Sequence, residues 1–195
     1  MKHSTGIIIL AAGSSSRLGE PKQLLQFNGT TLLAHTVQQA LKAAVKAVVV
    51  VTGANNQRIE KEIDNPDVLT VHNEQWETGM GSSIKIGLKH LLLVYPDVQH
   101  CILAVCDQPF ADAGIFSALR QAAVDESIVA SSYADTLGTP ALFSKAYFSD
   151  LLNLSGSEGA KKLLKKYDRD VIVIPFEKGA IDIDTINDYN QLISQ

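Results

Sequence analysis

Short apolar segments recur along the chain and alternate with longer amphipathic ones. The short segments are rich in β-branched residues and are bounded by polar and turn-forming residues, a pattern typical of strands buried in a parallel sheet. We predict strands at residues 6–12, 47–52, 68–72, 101–106, 128–131 and 171–174.

Apolar residues between these segments recur at the spacing of helices that bury one face. One helical pattern comprises Leu32, Leu33, Val37, Ala40, Leu41 and Ala44, and another comprises Ile84, Leu88, Leu91 and Leu92. Since crossovers between parallel strands are right-handed, we predict a Rossmann-like three-layer α/β/α sandwich with a mainly parallel sheet. Ligands of such folds bind beyond the carboxyl ends of the strands.

The length and composition are those of one globular domain. The chain has 195 residues, of which 46% are hydrophobic and 19% charged, and no stretch has the composition of a linker. We therefore expect residues 1–195 to form a single domain, with nucleotide bound by about 1–110 and an acceptor by about 111–195. The net charge of −4, without blocks of like charge, gives no reason to expect nucleic acid or a membrane as partner.

No apolar segment approaches the roughly 20 residues that a membrane-spanning helix needs. The N-terminal residues also lack the apolar core of a secretory signal, so we expect a cytoplasmic protein. The two cysteines, Cys101 and Cys106, lie in one predicted strand, too far apart to form a disulfide, and we predict buried thiols.

A segment of small residues with two cations follows the first predicted strand. It runs from Leu10 to Lys22 and contains Arg17. Small side chains let backbone N–H groups approach phosphate oxygens, arginine offers a planar fork of donors, and lysine adds a point charge. The segment predicts a triphosphate site, and the alternative is a serine-rich surface turn with solvated cations.

Two other phosphate-binding motifs do not fit this segment. A P-loop places lysine directly after glycine, whereas Glu20 and Pro21 separate Gly19 from Lys22. The dinucleotide fingerprint requires glycine where Ser15 stands, which argues against a dinucleotide-dependent oxidoreductase.

Five segments together resemble the molybdenum cofactor cytidylyltransferase family. In chain order they are LAAGSSSRLGEPKQLL from residue 10, QWETGMGSS from residue 75, CDQP from residue 106, GTPALF from residue 138 and DIDT from residue 182. The first and third are shared more loosely with enzymes acting on methylerythritol phosphate and sugar phosphates. The resemblance implies transfer of CMP from CTP to the phosphate of molybdopterin or its molybdenum-loaded form, with release of pyrophosphate.

The resemblance also implies roles for individual residues. Asp107 would bind Mg²⁺, with Asp184 as second ligand and Asp182 as its alternative, although a strand-end acid can also cap a helix. Arg17 would stabilise the departing phosphates, and Lys22 the charge near the α-phosphate. The base and ribose would lie among Leu10, Ala11, Ala12, Gly13, Gly79 and Ser83. Guanylyl-transferring relatives tend to have glycine where this chain has Ala12.

One segment departs from the resemblance and leaves the acceptor open. Where the family commonly reads GDxGAR, this chain reads GSEGAK from Gly156 to Lys161, and lysine lacks the planar donor fork of arginine. One alternative is an enzyme that uses another NTP or transfers to a sugar or polyol phosphate. A second alternative is a non-catalytic nucleotide-binding domain, and the presence of Lys22 and Asp107 argues against it. Contact with a molybdoenzyme or its chaperone is a further expectation, and whether such a partner receives the product stays open.

Overall fold

The structure is a computed structural model and describes residues 4–194. These residues form nine strands and seven α-helices, largely in the alternating order that the sequence predicts. The strands are β1 (Thr5–Ala11), β2 (Gln26–Phe27), β3 (Thr30–Thr31), β4 (Ala47–Thr52), β5 (Val68–His72), β6 (His100–Val105), β7 (Ile128–Tyr133), β8 (Thr136–Ser144) and β9 (Val171–Pro175). The helices are α1 (Leu32–Lys42), α2 (Asn56–Glu60), α3 (Met80–Val94), α4 (Ala113–Ala122), α5 (Phe148–Leu152), α6 (Ala160–Lys166) and α7 (Ile186–Ile193).

Seven strands form one sheet in the order β5-β4-β1-β6-β8-β7-β9. Within the described residues β8 is the one antiparallel strand of this sheet, so the predicted mainly parallel α/β fold is confirmed. The sequence pattern did not predict β8 as a strand, because Gly138 and Pro140 interrupt it. A two-stranded hairpin of β2 and β3 lies outside the sheet.

The central strand β1 is buried on both faces and divides the core into two layers. Ile7 and Ile9 pack on one side with residues of α1 and α4. Ile8 and Leu10 pack on the other side with residues of α3, α5 and α6. Because neighbouring side chains of a strand point to opposite faces, one apolar segment supports both layers.

A third, smaller apolar cluster joins the C-terminal segment to the segment after β1. Its buried members are Leu25, Leu32, Ile183 and Leu192. This contact fixes α7 and the residues before it beside the carboxyl end of β1, which brings the last predicted motif to the first.

Cys101 and Cys106 are free and buried, as predicted. Burial raises the pKa of both thiols, that of Cys106 to about 12. Among residues 4–194, no helix combines the length and the apolar character that crossing a membrane requires.

Helix α3 approaches the sheet closely at Gly87. A Cβ atom at this position would lie 2.7 Å from methyl carbons of both Ile8 and Val51. The glycine therefore permits a helix-to-sheet distance that a larger residue would prevent.

We expect Gly87→Ala to destabilise the protein by about 1–3 kcal/mol, because overfilling a packed core outweighs the roughly 1 kcal/mol gain in helix propensity. Urea unfolding measures the change, and Lys89→Ala, on the exposed side of α3, controls for propensity. Equal or greater stability of Gly87→Ala would contradict the role of close packing.

Candidate active site

A cleft of about 330 Å³ opens at the carboxyl ends of β1 and β6. Its walls come from the segment after β1, the start of α3 and the residues after β6. The lining residues include Leu10, Ala12, Gly13, Lys22, Gly79, Met80, Ser83 and Asp107. The cleft therefore lies where open α/β sheets bind ligands.

One lysine joins two carboxylates at the edge of this cleft. Nζ of Lys22 donates to Oδ2 of Asp107 at 2.6 Å and to Oδ1 of Asp184 at 3.1 Å. It also donates to the carbonyl oxygen of Ile183 at 3.3 Å. Both carboxylates thus lie within hydrogen-bond distance of the same cationic atom.

The lysine is held in its charged form. Burial by itself would lower the pKa of Lys22, but the charge of Asp107 and hydrogen bonds to Asp107 and Asp184 outweigh it and raise the pKa. The side chain is only 17% exposed, so solvent screens these pairs less than it screens surface ion pairs.

Asp184 is directed into the site by the start of α7. Thr185 is the N-cap of that helix and forms a reciprocal capping box with Asp188. Asp184 is therefore not the cap, and its carboxylate faces Lys22 and Arg17. The backbone N–H of Ile183 donates to the carbonyl oxygen of Asp107 at 3.0 Å, which ties the two acidic segments together.

Asp182 lies near the cluster but forms no ion pair among residues 4–194. Burial raises its pKa, and the negative charges of Asp107 and Asp184 raise it further. Three carboxylates with one buried lysine between two of them make a strongly electronegative cluster.

This donor set fits a small divalent cation. Mg²⁺ prefers oxygen ligands and takes one or two protein carboxylates while substrate phosphates and waters complete its shell. Asp107 and Asp184 would hold it, because their oxygens already converge on one cationic atom. Among residues 4–194, no group of three or more His, Cys, Asp or Glu side chains is arranged to hold a metal.

A buried glutamine shapes the segment after β1. Nε2 of Gln23 donates to the carbonyl oxygens of Ala11 and Gly13, each at 2.9 Å. Oγ of Ser15 donates to Oε1 of Gln23 and accepts from the N–H of Lys22 at 2.9 Å. The sequence analysis missed Gln23, although it adjoins Lys22 in the same motif.

The structure separates two predicted residues from the others. The Ala11 side chain packs in the layer with α1, so only the backbone of this residue is near the cleft. Arg17 is 71% exposed and contacts Asp184 at 3.3 Å, outside the cleft lining. Trp76 both lines the cleft and packs against the core.

The segment that departs from the family pattern packs on the start of α3. The carbonyl oxygen of Gly156 accepts from the N–H of Gly81 at 2.9 Å. Gly79 has φ of +116°, and a Cβ atom there would lie 2.3 Å from the Gly156 oxygen. Both positions therefore require glycine for steric reasons, independent of any ligand.

Residues 7–171 match the family described as MobA-like NTP transferase domain. The molybdenum cofactor cytidylyltransferase of Escherichia coli K12 is 25% identical over 93% of this chain and 92% of its own. The nicotine blue oxidoreductase of Paenarthrobacter nicotinovorans is 28% identical over 95% of each chain.

Solved structures share the fold along the whole chain. Rv0371c of Mycobacterium tuberculosis superimposes with a TM-score of 0.88 at 28% identity, covering 100% of both chains. The same protein in complex with manganese gives a TM-score of 0.82 at 26% identity, covering 99% of each.

We expect Gln23→Leu to lower the free energy of unfolding by about 2 kcal/mol or more, because two carbonyl oxygens lose their buried donor. Urea unfolding measures the loss. Gln99→Leu is the matched control, since that amide donates only to the exposed carbonyl of Asp97 and should change stability by less than about 0.5 kcal/mol. Equal effects of the two substitutions would contradict the proposed anchoring.

Proposed function

The chain belongs to the MobA-like NTP transferase family, and we propose that it transfers CMP from CTP to the phosphate of molybdopterin or its molybdenum-loaded form, releasing pyrophosphate. The family consists of nucleotidyltransferases, and the proposal adds the nucleotide, the acceptor and the requirement for Mg²⁺. The relative that acts as a molybdenum cofactor cytidylyltransferase supports the choice of acceptor.

The contact of Lys22 with both Asp107 and Asp184 carries the proposal. It brings two carboxylates and a cation together beside a cleft of about 330 Å³, large enough to hold much of a nucleotide. A domain that only binds nucleotide has no need for a partly buried lysine between converging carboxylates.

The reaction joins two anions, since an acceptor phosphate oxygen attacks the α-phosphorus while pyrophosphate leaves. Positioning and charge neutralisation therefore supply most of the catalysis. Asp107 and Asp184 would hold Mg²⁺, which would supply positive charge to offset that of the phosphates. Lys22 stabilises the charge that develops near the α-phosphate, and the exposed Arg17 reaches the departing phosphates from the rim of the cleft.

Ala12 supports the preference for cytosine over guanine. Its methyl group lines the cleft while the residue is only 7% exposed. A Cβ atom at Gly53 would lie 2.8 Å from the Ala12 Cβ, and the carbonyl oxygen of Ala12 accepts from the N–H of Ala54 at 3.0 Å, which holds this part of the wall in place. A purine must therefore displace a supported wall, whereas a pyrimidine fits in front of it.

The segment from Gly156 to Lys161 bears on the acceptor. Ser157 is exposed next to Gly79 at the edge of the cleft, where the family commonly has an acid. Lys161 lies apart from the cleft, in a groove beside the β7–β8 turn.

The deciding experiment is mass spectrometry of products after incubation with Mg²⁺, each NTP in turn, and molybdopterin, a sugar phosphate or a polyol phosphate. The proposal expects a CMP adduct of molybdopterin. Products only with another acceptor would reassign the substrate. Absence of any adduct, with oxidation or reduction of nicotine blue in a parallel assay, would indicate the activity named for that relative.

We expect Asp107→Asn to lower kcat by about a thousandfold or more at saturating Mg²⁺, because several kcal/mol of charge stabilisation depend on the metal. Asp184→Asn should show a comparable loss. Steady-state kinetics measures both losses, and circular dichroism checks that the variants are folded. The control is Asp182→Asn, which should retain most activity because Asp182 is a neighbouring acid without a contact to Lys22. Near-normal turnover of Asp107→Asn would remove this residue from the mechanism.

We expect wild-type protein to prefer CTP to GTP and Ala12→Gly to narrow that preference. Overfilling a packed site costs about 1–3 kcal/mol, which corresponds to a preference of roughly 5- to 150-fold. The measurement is kcat/KM for CTP, UTP, GTP and ATP in both proteins. Ser14→Gly, in the same cleft wall but without a supported side chain, is the control. If Ala12→Gly gives GTP no relative gain, the size argument is wrong.

A further inference from the structure

Three of the sequence motifs contain residues that the proposed reaction does not use. They are Gln108 of the CDQP motif, Gly138 and Thr139 of the GTPALF motif, and the segment that leads to Asp184. These residues are far apart in sequence but meet around a single side chain, that of Gln108.

Gln108 is only 4% exposed and its amide is bonded on both sides. Nε2 donates to the carbonyl oxygen of Gly179 at 2.9 Å and to the hydroxyl oxygen of Tyr133 at 3.2 Å. Oε1 accepts from Oγ1 of Thr139 at 3.2 Å. Both amide protons are therefore used, and the carbonyl of Gly179 fixes which end of the amide faces it.

A bulge in β8 presents Thr139 to this amide. Ala130 of β7 pairs with Ala141, but the next residue, Ser131, pairs with Gly138. Thr139 and Pro140 are thus extra residues in β8, and such bulges redirect side chains. The Oγ of Ser131 donates to the carbonyl of Pro140 at 2.7 Å and holds the bulge from the other strand.

Two glycines confine Tyr133, the remaining partner. A Cβ atom at Gly138 would lie 2.0 Å from the Tyr133 hydroxyl oxygen, and one at Gly179 would lie 2.6 Å from its ring. The tyrosine therefore fills space that side chains at both glycines would otherwise occupy, and its hydroxyl stays within reach of Gln108.

This network connects the two acidic segments of the active site. Gln108 directly follows Asp107, and Gly179 lies at the start of the segment that leads to Asp184. The N–H of Ile183 donates to the Asp107 carbonyl, which gives a second connection between the same two segments. The spacing of the two carboxylates therefore depends on the Gln108 amide as well as on Lys22.

We propose that Gln108 is a positioning residue which, through Thr139 and Gly179, holds Asp107 and Asp184 at the spacing that a divalent metal requires. The inference rests on the proposed function, because it concerns the metal site of that reaction. Partners that orient metal ligands typically contribute about 10- to 100-fold to metal affinity.

The test is binding of Mn²⁺ to the purified full chain, measured from the electron paramagnetic resonance signal of free Mn²⁺, with CTP present and acceptor withheld. Gln108→Met keeps the length of the side chain and removes its hydrogen bonds, so we expect affinity to fall about 10- to 100-fold. Thr139→Val should weaken binding in the same direction, whereas Thr139→Ser keeps the hydroxyl and should bind like wild type. The same two weakened variants should need more Mn²⁺ for half-maximal turnover.

Ser127→Ala is the matched control, because it removes the hydrogen bonds of a buried serine directly before β7 without touching Gln108 or the bulge in β8. Its Mn²⁺ affinity should stay within about twofold of wild type even though its melting temperature falls. If Gln108→Met does not fold, the difference in Mn²⁺ affinity between Thr139→Val and Thr139→Ser tests the inference instead.

Wild-type affinity in both Gln108→Met and Thr139→Val would overturn the inference and leave the proposed function intact. An equal loss in Ser127→Ala would also overturn it, since general loosening of the sheet would then explain the effect. If wild-type protein binds no Mn²⁺, the metal site of the proposed function itself is wrong.

Discussion

The ammonium group of Lys22 between the carboxylates of Asp107 and Asp184 is the interaction on which the arrangement of the site depends. Without a cation between them, two partly buried carboxylates would repel each other across a poorly screened space. The lysine removes that repulsion and at the same time joins the first, third and last motifs of the chain. The active site is thus organised around one balance of charge.

Neutral contacts hold the segments that supply these charges. Gln23 anchors the segment that carries Lys22, and Gln108 anchors the segment that carries Asp107. Each glutamine is almost fully buried and donates to backbone carbonyls. A buried amide suits this purpose because it has two donors in a fixed plane and adds no further charge to an already charged cluster.

The glycines divide into those that serve packing and those that leave the cleft open. Gly79 and Gly156 allow the start of α3 to contact the segment before α6, so that one wall of the cleft is backbone against backbone. Gly13 has open space around it, within the cleft. The glycines of the family motifs therefore serve two separate purposes in this protein: some permit close packing of the backbone, and Gly13 leaves open space in the cleft.

The sequence by itself determined the fold class, the position of the small-residue segment after β1 and half of the residues that line the cleft, because strand alternation, helical spacing and motif order are local properties of the chain. Only the tertiary structure decided that Asp184 rather than Asp182 meets Lys22, that Ala11 faces away from the cleft, and that β8 runs antiparallel with a bulge at Thr139. It also brought Gln23 and Gln108 to their partners. Such contacts join residues as far as 85 and 162 positions apart, and no periodic pattern records which side chains meet once the layers have packed.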